Sequence, residues 1–435
     1  MLNYFWLALV LLAVVLGGLD GRFKELTDAA FTSAKSAVME IALPLAGIMA
    51  LWLGVMRLAE RAGMVRSLAR ALRPVMRRLF PDVPADHPAM GAMLMNMAAN
   101  LLGLANAATP LGLRAMNDLE SLNLHPGTAT NAMCTFLAIN TASIQLLPAT
   151  AISIMAAAGG KNPTAIVGTT VLASACAVTV GVTAAKTLEK LPCFRVTETV
   201  AEKRNAPPTA APDPVTPEAK PLPAWGWPAL VLLLVLFGFF FARLTQTGAA
   251  TGQPFFLRGV NAVSLLAIPF LFAFFPLYAA LRGVKVYEEF VEGAKEGFQV
   301  AVRIMPFLVA MLVAIGMFRA AGGVNLLARA LQPVLDVIHF PTDLLPMALT
   351  RPLSGSATIG LFADLVKSHG PDSLVTRMGG TLLGSTETTF YVLAVYFGAV
   401  AVQRTRHAVA VGLLADLTGM IAAVTICRLV FGGAW

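Results

Sequence analysis

The chain has 435 residues, of which 57% are hydrophobic and only 13% charged, and its mean hydropathy is +0.73. A soluble domain carries about 25% charged residues, so water is not the only solvent. Spanning elements in lipid must satisfy their own backbone groups, so the composition predicts an all-α polytopic membrane protein. The net charge of +8 does not point to nucleic acid, because the basic residues cluster beside apolar segments, where anionic headgroups and orientation account for them.

In chain order, the first eighteen residues, "MLNYFWLALVLLAVVLGG", lack a basic start and precede a poor cleavage site, "LDGR". They are expected to be a retained helix. Residues 64–80 set Val65, Leu68, Leu72, Val75, Met76 and Leu79 at helical spacing, with Arg66, Arg70, Arg73 and Arg77 opposite. That pattern predicts an amphipathic helix in the membrane interface. Residues 96–112, "NMAANLLGLANAATPLG", are charge-free but carry Asn96, Asn100, Asn106, Thr109 and Pro110. Asp118 and Glu120 follow and are expected to be solvated loop charges. The charge-free run 126–160 contains Asn140, Thr141 and Ser143 and is too long for one crossing, so a kinked or re-entrant pair is expected.

Residues 192–225, rich in Pro and Ala, have no periodic apolar face and predict a semi-rigid, mostly disordered tether. Segments 224–242 and 259–281 each suit a crossing, followed by a Lys/Arg-bearing connection at 282–295 and another crossing at 304–318. Residues 350–360, "TRPLSGSATIG", join Pro352, Gly355 and Gly360 to Arg351, Ser354, Ser356 and Thr358. Residues 384–398, "GSTETTFYVLAVYFG", place Glu387 among hydroxyls. Gly379, Gly380 and Gly384 are expected to loosen the helix before it. On a continuous helix Thr381, Ser385 and Thr388 share one face, and Glu387 and Tyr391 a neighbouring one. Asp416 lies inside an apolar run, as a proton carrier or a helix-packing hydrogen bond. The four cysteines are scattered and are expected to be apolar packing residues.

The chain repeats itself. "GVMRLAERAGMVRSLARALRP" (54–74) parallels "GMFRAAGGVNLLARALQP" (316–333), "SAKSAV" at Ser33 echoes "GAKEGF" at Gly293, and "TFLAINTAS" at Thr135 aligns with "TLLGSTETT" at Thr381. The expected organisation is two homologous membrane domains, 1–191 and 226–435, joined by the tether 192–225. Positive charge places the stretch 57–78, the tether and the N-terminus in the cytoplasm. The second amphipathic helix then falls outside, which makes the halves inverted, with broken or re-entrant helices and interfacial amphipathic helices. The expected location is the bacterial cytoplasmic (inner) membrane.

Pro and Gly beside polar clusters, repeated in each half, point to a site near the bilayer midplane. The candidate substrate-binding residues are Asn100, Asn106, Thr109, Asn140, Thr141 and Ser143 from the first half. The second half supplies Arg351, Ser354, Ser356, Thr358, Ser385, Thr386, Glu387 and Thr388. Glu387 and Asp416 are the candidate ion- or proton-coupling carboxylates. A single hydroxyl is more often helix glue than a ligand contact; a charge at membrane depth needs a stronger reason, although Arg351 and Glu387 could simply pair. No nucleotide-loop, zinc-protease or serine-hydrolase motif occurs, and the five histidines stand alone. No enzyme, metal or cofactor is expected; the partners are the lipid bilayer and a small polar solute, with a homo-oligomer left open.

The runs "HPAMGAMLMNMAANLLGLANAATPLGLRAM" and "TATNAMCTFLAINTAS" resemble the spore maturation protein A family. "EGAKEGFQVAVRIMPFLVAMLVAIGMFRAAGG", "RPLSGSATIG" and "GSTETTFYVLAVYFG" resemble the spore maturation protein B family, so the chain resembles a fusion of the two. The resemblance implies membership of the nucleoside-recognition, or Gate, group, with relatives in the ferrous iron transporter B membrane region and in concentrative nucleoside transporters. In spore formers it implies a role in spore core dehydration. The expected function is a transporter or channel-like protein for a small polar solute; the alternative is a non-transporting scaffold for envelope or spore-maturation factors.

Overall fold

The computed structural model describes residues 2–102, 105–194, 220–246, 255–323 and 340–432, with residues 326 and 329. The first half opens with α1 (Leu2–Leu19) and α2 (Phe23–Ser36), which passes through a π turn (Ala37–Ala42) into α3 (Leu43–Arg61). Then come α4 (Met64–Leu79), α5 (Pro88–Leu101), α6 (Ala105–Glu120), α7 (Asn131–Ala142), α8 (Ala149–Ala157) and α9 (Ile166–Leu188). The second half has α10 (Gly226–Gln246), α11 (Phe255–Leu281), α12 (Val286–Ala320), α13 (Leu345–Thr350) and α14 (Gly355–His369). It closes with α15 (Leu374–Ser385), α16 (Thr389–Ala399) and α17 (Ala408–Phe431).

Among the described residues, five stretches are long and apolar enough to cross a bilayer: Phe23–Arg61, Pro163–Leu188, Gly226–Gln246, Ala262–Leu281 and Ala408–Phe431. The chain is an all-α, multi-pass membrane protein. Most of the Lys/Arg-bearing stretch 282–295 is helical. Helix α12 begins at Val286 and runs 35 residues without a break, because Glu288, Glu289, Glu292, Lys295 and Glu296 are good helix formers with Glu292–Lys295 and Lys285–Glu288 pairs along the helix. Residues 195–219 of the expected tether, and most of the expected second amphipathic helix, lie outside the described residues.

Helix α4 buries Val65, Ala69 and Met76 and exposes Arg66, Arg70, Arg73 and Arg77. Val75 lies on the arginine side and is exposed, one position off the buried row. Asp118 is no loop charge either: it sits in the last turn of α6, buried beside Arg114 at 3.9 Å. Cys134 and Cys427 are buried in the packing, whereas Cys176 is exposed.

Two helix pairs tie the halves together. Helix α3 crosses α12 through small residues: a Cβ added at Gly293 would lie 2.5 Å from the Leu53 carbonyl, and one at Gly297 would lie 2.5 Å from that of Met49. Close approach of this kind is what small residues give helices in lipid. Arg57 and Arg61, at the end of α3, reach Glu289 near the start of α12 at 2.8 and 3.1 Å, so the two helices run antiparallel. Helices α9 and α17 are antiparallel too, with Gly181 against Ala415 and Ala177 against Gly419. The basic α4 and the end of the tether flank the same end of the bundle, because the Lys220 N–H donates to Arg282 O just before α12.

Loops at two places latch one half to the other. After α6, the Gly127 carbonyl accepts from the N–H groups of Gln403 and Arg404 at 2.9 and 3.0 Å, and Ala129 N donates to Arg404 O. After α8, the N–H groups of Lys161 and Asn162 donate to the Asp372 carboxylate at 2.9 and 3.2 Å. The Lys161 N–H holds the Asp372 carboxyl below its usual 3.8. A depressed carboxyl stabilises the fold above its unfolded pKa and loses that contribution as pH falls through the folded value. Asp372→Ala should therefore unfold at lower temperature than wild type at pH 7, with the difference closing as pH drops below about 4. Thermal unfolding in detergent across pH measures this; a difference that is undiminished at pH 3 would assign the loss to something other than the carboxylate.

Candidate functional site

Each polar segment singled out in the sequence is a break between two helices. The segment 96–112 breaks after Leu101, where α5 gives way to α6. The run 126–160 breaks between Ala142 and Ala149, turned by Ser143 in the left-handed region at φ 34°. The third break spans residues 351–354, where Pro352 has no N–H to continue the ladder and Ser354 restarts the chain by accepting from Ala357 N at 3.2 Å. The fourth spans residues 386–388, between α15 and α16. The helical faces expected through Thr381, Ser385, Thr388 and Tyr391 therefore do not continue, because the backbone turns at Thr386. The neighbouring glycines do not loosen α15 as expected: Gly379 lies against Leu365 and Phe362, and Gly384 against Pro148 and Thr170.

The breaks meet. Glu387 N donates to Thr141 O at 2.8 Å, Phe390 N to Pro352 O at 3.0 Å, and Leu146 N to Leu101 O at 3.1 Å. Thr141 and Glu387 are the seventh residues of "TFLAINTAS" and "TLLGSTETT", the stretches laid against each other in the sequence. Unwound backbone has to place its polar groups somewhere when water is scarce; here each break satisfies its neighbour.

Arg351 fills the space behind this junction, only 4% exposed. Its guanidinium donates to Leu383 O at 3.0 Å, to Thr386 Oγ1 at 3.2 Å, to the Thr386 carbonyl, and to Glu387 Oε2 at 3.2 Å. The two charges singled out in the sequence are thus an ion pair, asymmetric in burial: the Glu387 side chain remains 40% exposed. Arg351 caps the carbonyls at the end of α15, a geometry that suits its planar fork of donors.

In front of the junction lies a cavity of about 70 Å³. Asn100, Thr109, Asn140 and Ser143 come to it from the first half and Glu387 from the second, together with Gln145, Tyr391 and Tyr396. An amide network stiffens the wall: Asn100 Nδ2 donates to Asn140 Oδ1 at 2.9 Å, Asn96 Nδ2 to Ala108 O at 2.7 Å, and Asn140 Nδ2 to Phe136 O at 2.9 Å. Tyr396 Oη is 3.3 Å from Asn96 Nδ2 and 3.4 Å from Asn140 Oδ1. Asp416, 1% exposed, lies behind Thr389, whose hydroxyl donates to Oδ2 at 2.5 Å, while Oδ1 has no partner among the described residues.

Five expected site residues therefore line the cavity: Asn100, Thr109, Asn140, Ser143 and Glu387. The other described candidates are not part of its lining. Ser354 caps α14, Thr358 donates back to Ser354 O, Ser385 and Thr386 donate to Leu382 O, and Thr388 packs at Gly355. Thr141 gives its carbonyl to the junction, and Ser356 sits half-buried in the first turn of α14. Asn106 lies in α6, and its side chain is outside the described ones. Gln145, Tyr391 and Tyr396 line the cavity without having been candidates. Gln145 lies in the break after α7, five residues beyond Asn140; Tyr396 carries only a phenol within an apolar helix.

The description for nucleoside recognition (Gate) matches residues 42–158 and 301–403, together half of the chain. The chain belongs to the Gate family. Both matched segments contribute to the cavity wall of this Gate protein, the first through Asn100, Asn140 and Ser143 and the second through Glu387 and Tyr396. Spore maturation protein B of Bacillus subtilis is 46% identical over 175 residues, covering 40% of this chain and 98% of its own length. Spore maturation protein A of the same organism is 42% identical over 174 residues, covering 40% of this chain and 88% of its own. The Gate protein thus joins stretches similar to both in one polypeptide. A crystal structure of the Alcanivorax borkumensis YdaH transporter aligns over 100% of this chain and 98% of its own, at 16% identity and a TM-score of 0.40.

Proposed function

We propose that this Gate-family protein carries a small polar solute across the bacterial cytoplasmic membrane, with its binding site at the junction of the broken helices. The observation that carries the reading is the bond between Glu387 N and Thr141 O beside a polar cavity walled by both halves. Breaks at membrane depth are tolerated where they are buried in protein or line a cavity, and they recur where transporters hold substrate.

The repeat 1–191 and 226–435 is an inverted pair. Antiparallel crossing of the corresponding helices α3 with α12 and α9 with α17 supports this. The N-terminus, α4 and the tether lie in the cytoplasm, where the exposed arginines of α4 meet anionic headgroups. No catalysis is assigned to the site. Arg351 and Glu387 set charge selectivity, and Asp416 behind Thr389 couples transport to a cation or proton.

Glu387→Gln tests the reading. The amide keeps an oxygen for Arg351 and the same shape but removes the charge. The variant should insert and purify like wild type, yet show at least a tenfold loss of solute uptake in proteoliposomes. Uptake equal to wild type would take Glu387 out of the mechanism.

A further inference from the structure

Charge, size and ligand chemistry at the junction all narrow the occupant of the cavity. The charged side chains there are Arg351, Glu387 and Asp416. Of these only Glu387 borders the cavity, and its side chain keeps an open face beside its pair with Arg351. Arg351 is not part of the lining, and its Nε and Nη2 are turned to Leu383, Thr386 and Glu387. Drug-sized ligands occupy clefts of about 300–1,000 Å³; this one is about 70 Å³, too small for a nucleoside but roomy for an ion with a few waters.

The lining offers one carboxylate, Glu387, the side-chain amides of Asn100, Asn140 and Gln145, the hydroxyls of Thr109 and Ser143, and the phenols of Tyr391 and Tyr396. Divalent metals favour sites with several carboxylate, histidine or thiolate ligands, and among the described residues no group of three such side chains occurs. A single carboxylate amid neutral oxygens suits a unit positive charge.

Building on the transporter reading above, we infer that the central cavity binds a small monovalent cation, of the alkali or ammonium type. The neutral oxygens of the first half replace part of its hydration shell, and the Glu387 carboxylate supplies the charge. Glu387 thus answers to two partners, Arg351 on its buried side and the cation on its open side.

The test uses the full-length protein in detergent, titrated with sodium, potassium or ammonium chloride against choline chloride at constant ionic strength, with uridine as a separate arm. At least one of the three cations should raise the unfolding temperature saturably while choline does not. Glu387→Gln and Asn140→Ala should each weaken the apparent affinity at least tenfold. A saturable shift with uridine and none with any cation would overturn the inference, as would a cation shift unchanged in Glu387→Gln, or a pH-dependent shift with no cation selectivity. Proteoliposome flux on the same preparation separates the two readings. Uridine uptake without cation binding sinks the cation and keeps the transporter, whereas no flux of cation, uridine or amino acid, and no binding, sinks both.

Discussion

Arg351→Met should cost the protein about 3 kcal/mol of stability, toward the lower end of the 3–5 kcal/mol seen when one member of a buried ion pair is removed. The guanidinium holds the carbonyls of Leu383 and Thr386 at the end of α15 as well as Glu387. Methionine fills much of the volume but donates nothing, so those carbonyls and the carboxylate lose their donor together. The cost stays near the lower figure because Glu387 keeps access to the cavity on its open side. Arg351→Lys should be intermediate, since one ammonium cannot present a planar fork to Nε- and Nη-facing acceptors at once. Thermal unfolding in detergent orders the three proteins. If Arg351→Met melts with wild type, the pair does not hold the junction.

The sequence marks the junction because polarity is expensive in lipid. Every one of the four polar, Pro- or Gly-bearing runs became a helix break, and Arg351 and Glu387, the two charges standing next to such runs, met each other. Charge and turn chemistry are local properties, legible without a fold. What a hydroxyl does is not local. Thr358, Ser385 and Thr386 differ from Ser143 only in which way the break turns them, and three of these four bond back to their own helix. The side of a break that faces the cavity depends on backbone torsions, such as φ 34° at Ser143, that no residue type announces.

Element boundaries failed where local charge was mistaken for solvation. In the sequence the stretch 282–295 stands out for its Lys and Arg between two crossings, yet from Val286 it belongs to one continuous helix, whose Glu289 pairs with Arg57 and Arg61 on α3. Asp118 failed in the same way, buried in a helix end beside Arg114. The partners of Glu289 lie on another helix, which spacing along the chain cannot reveal; for Asp118 the i,i+4 partner Arg114 was legible but the burial was not.

The crossing of α3 and α12 carries the second large effect, and it turns on two glycines in "GAKEG". Gly297→Leu should destabilise the protein by at least the 1–3 kcal/mol typical of overpacking. A Cβ there would meet the Met49 carbonyl at 2.5 Å and the Ala50 Cα at 2.6 Å. Both atoms belong to the facing backbone, so no side-chain rotation relieves the clash and the helices must separate. Separation would also stretch the Arg57–Glu289 pair two turns away, at 2.8 Å. Gly47 on α3 is the internal control: an added Cβ there meets nothing within 4 Å, so Gly47→Ala should be neutral or gain up to about 1 kcal/mol from helix propensity. Alanine at the two positions, compared by thermal unfolding in one detergent, should move the midpoint in opposite directions or leave only Gly297→Ala impaired. Equal responses would mean that the helices are held by lipid and loops rather than by contact of their backbones. The cavity would then lose the rigid frame that brings Asn140 and Glu387 to the same wall.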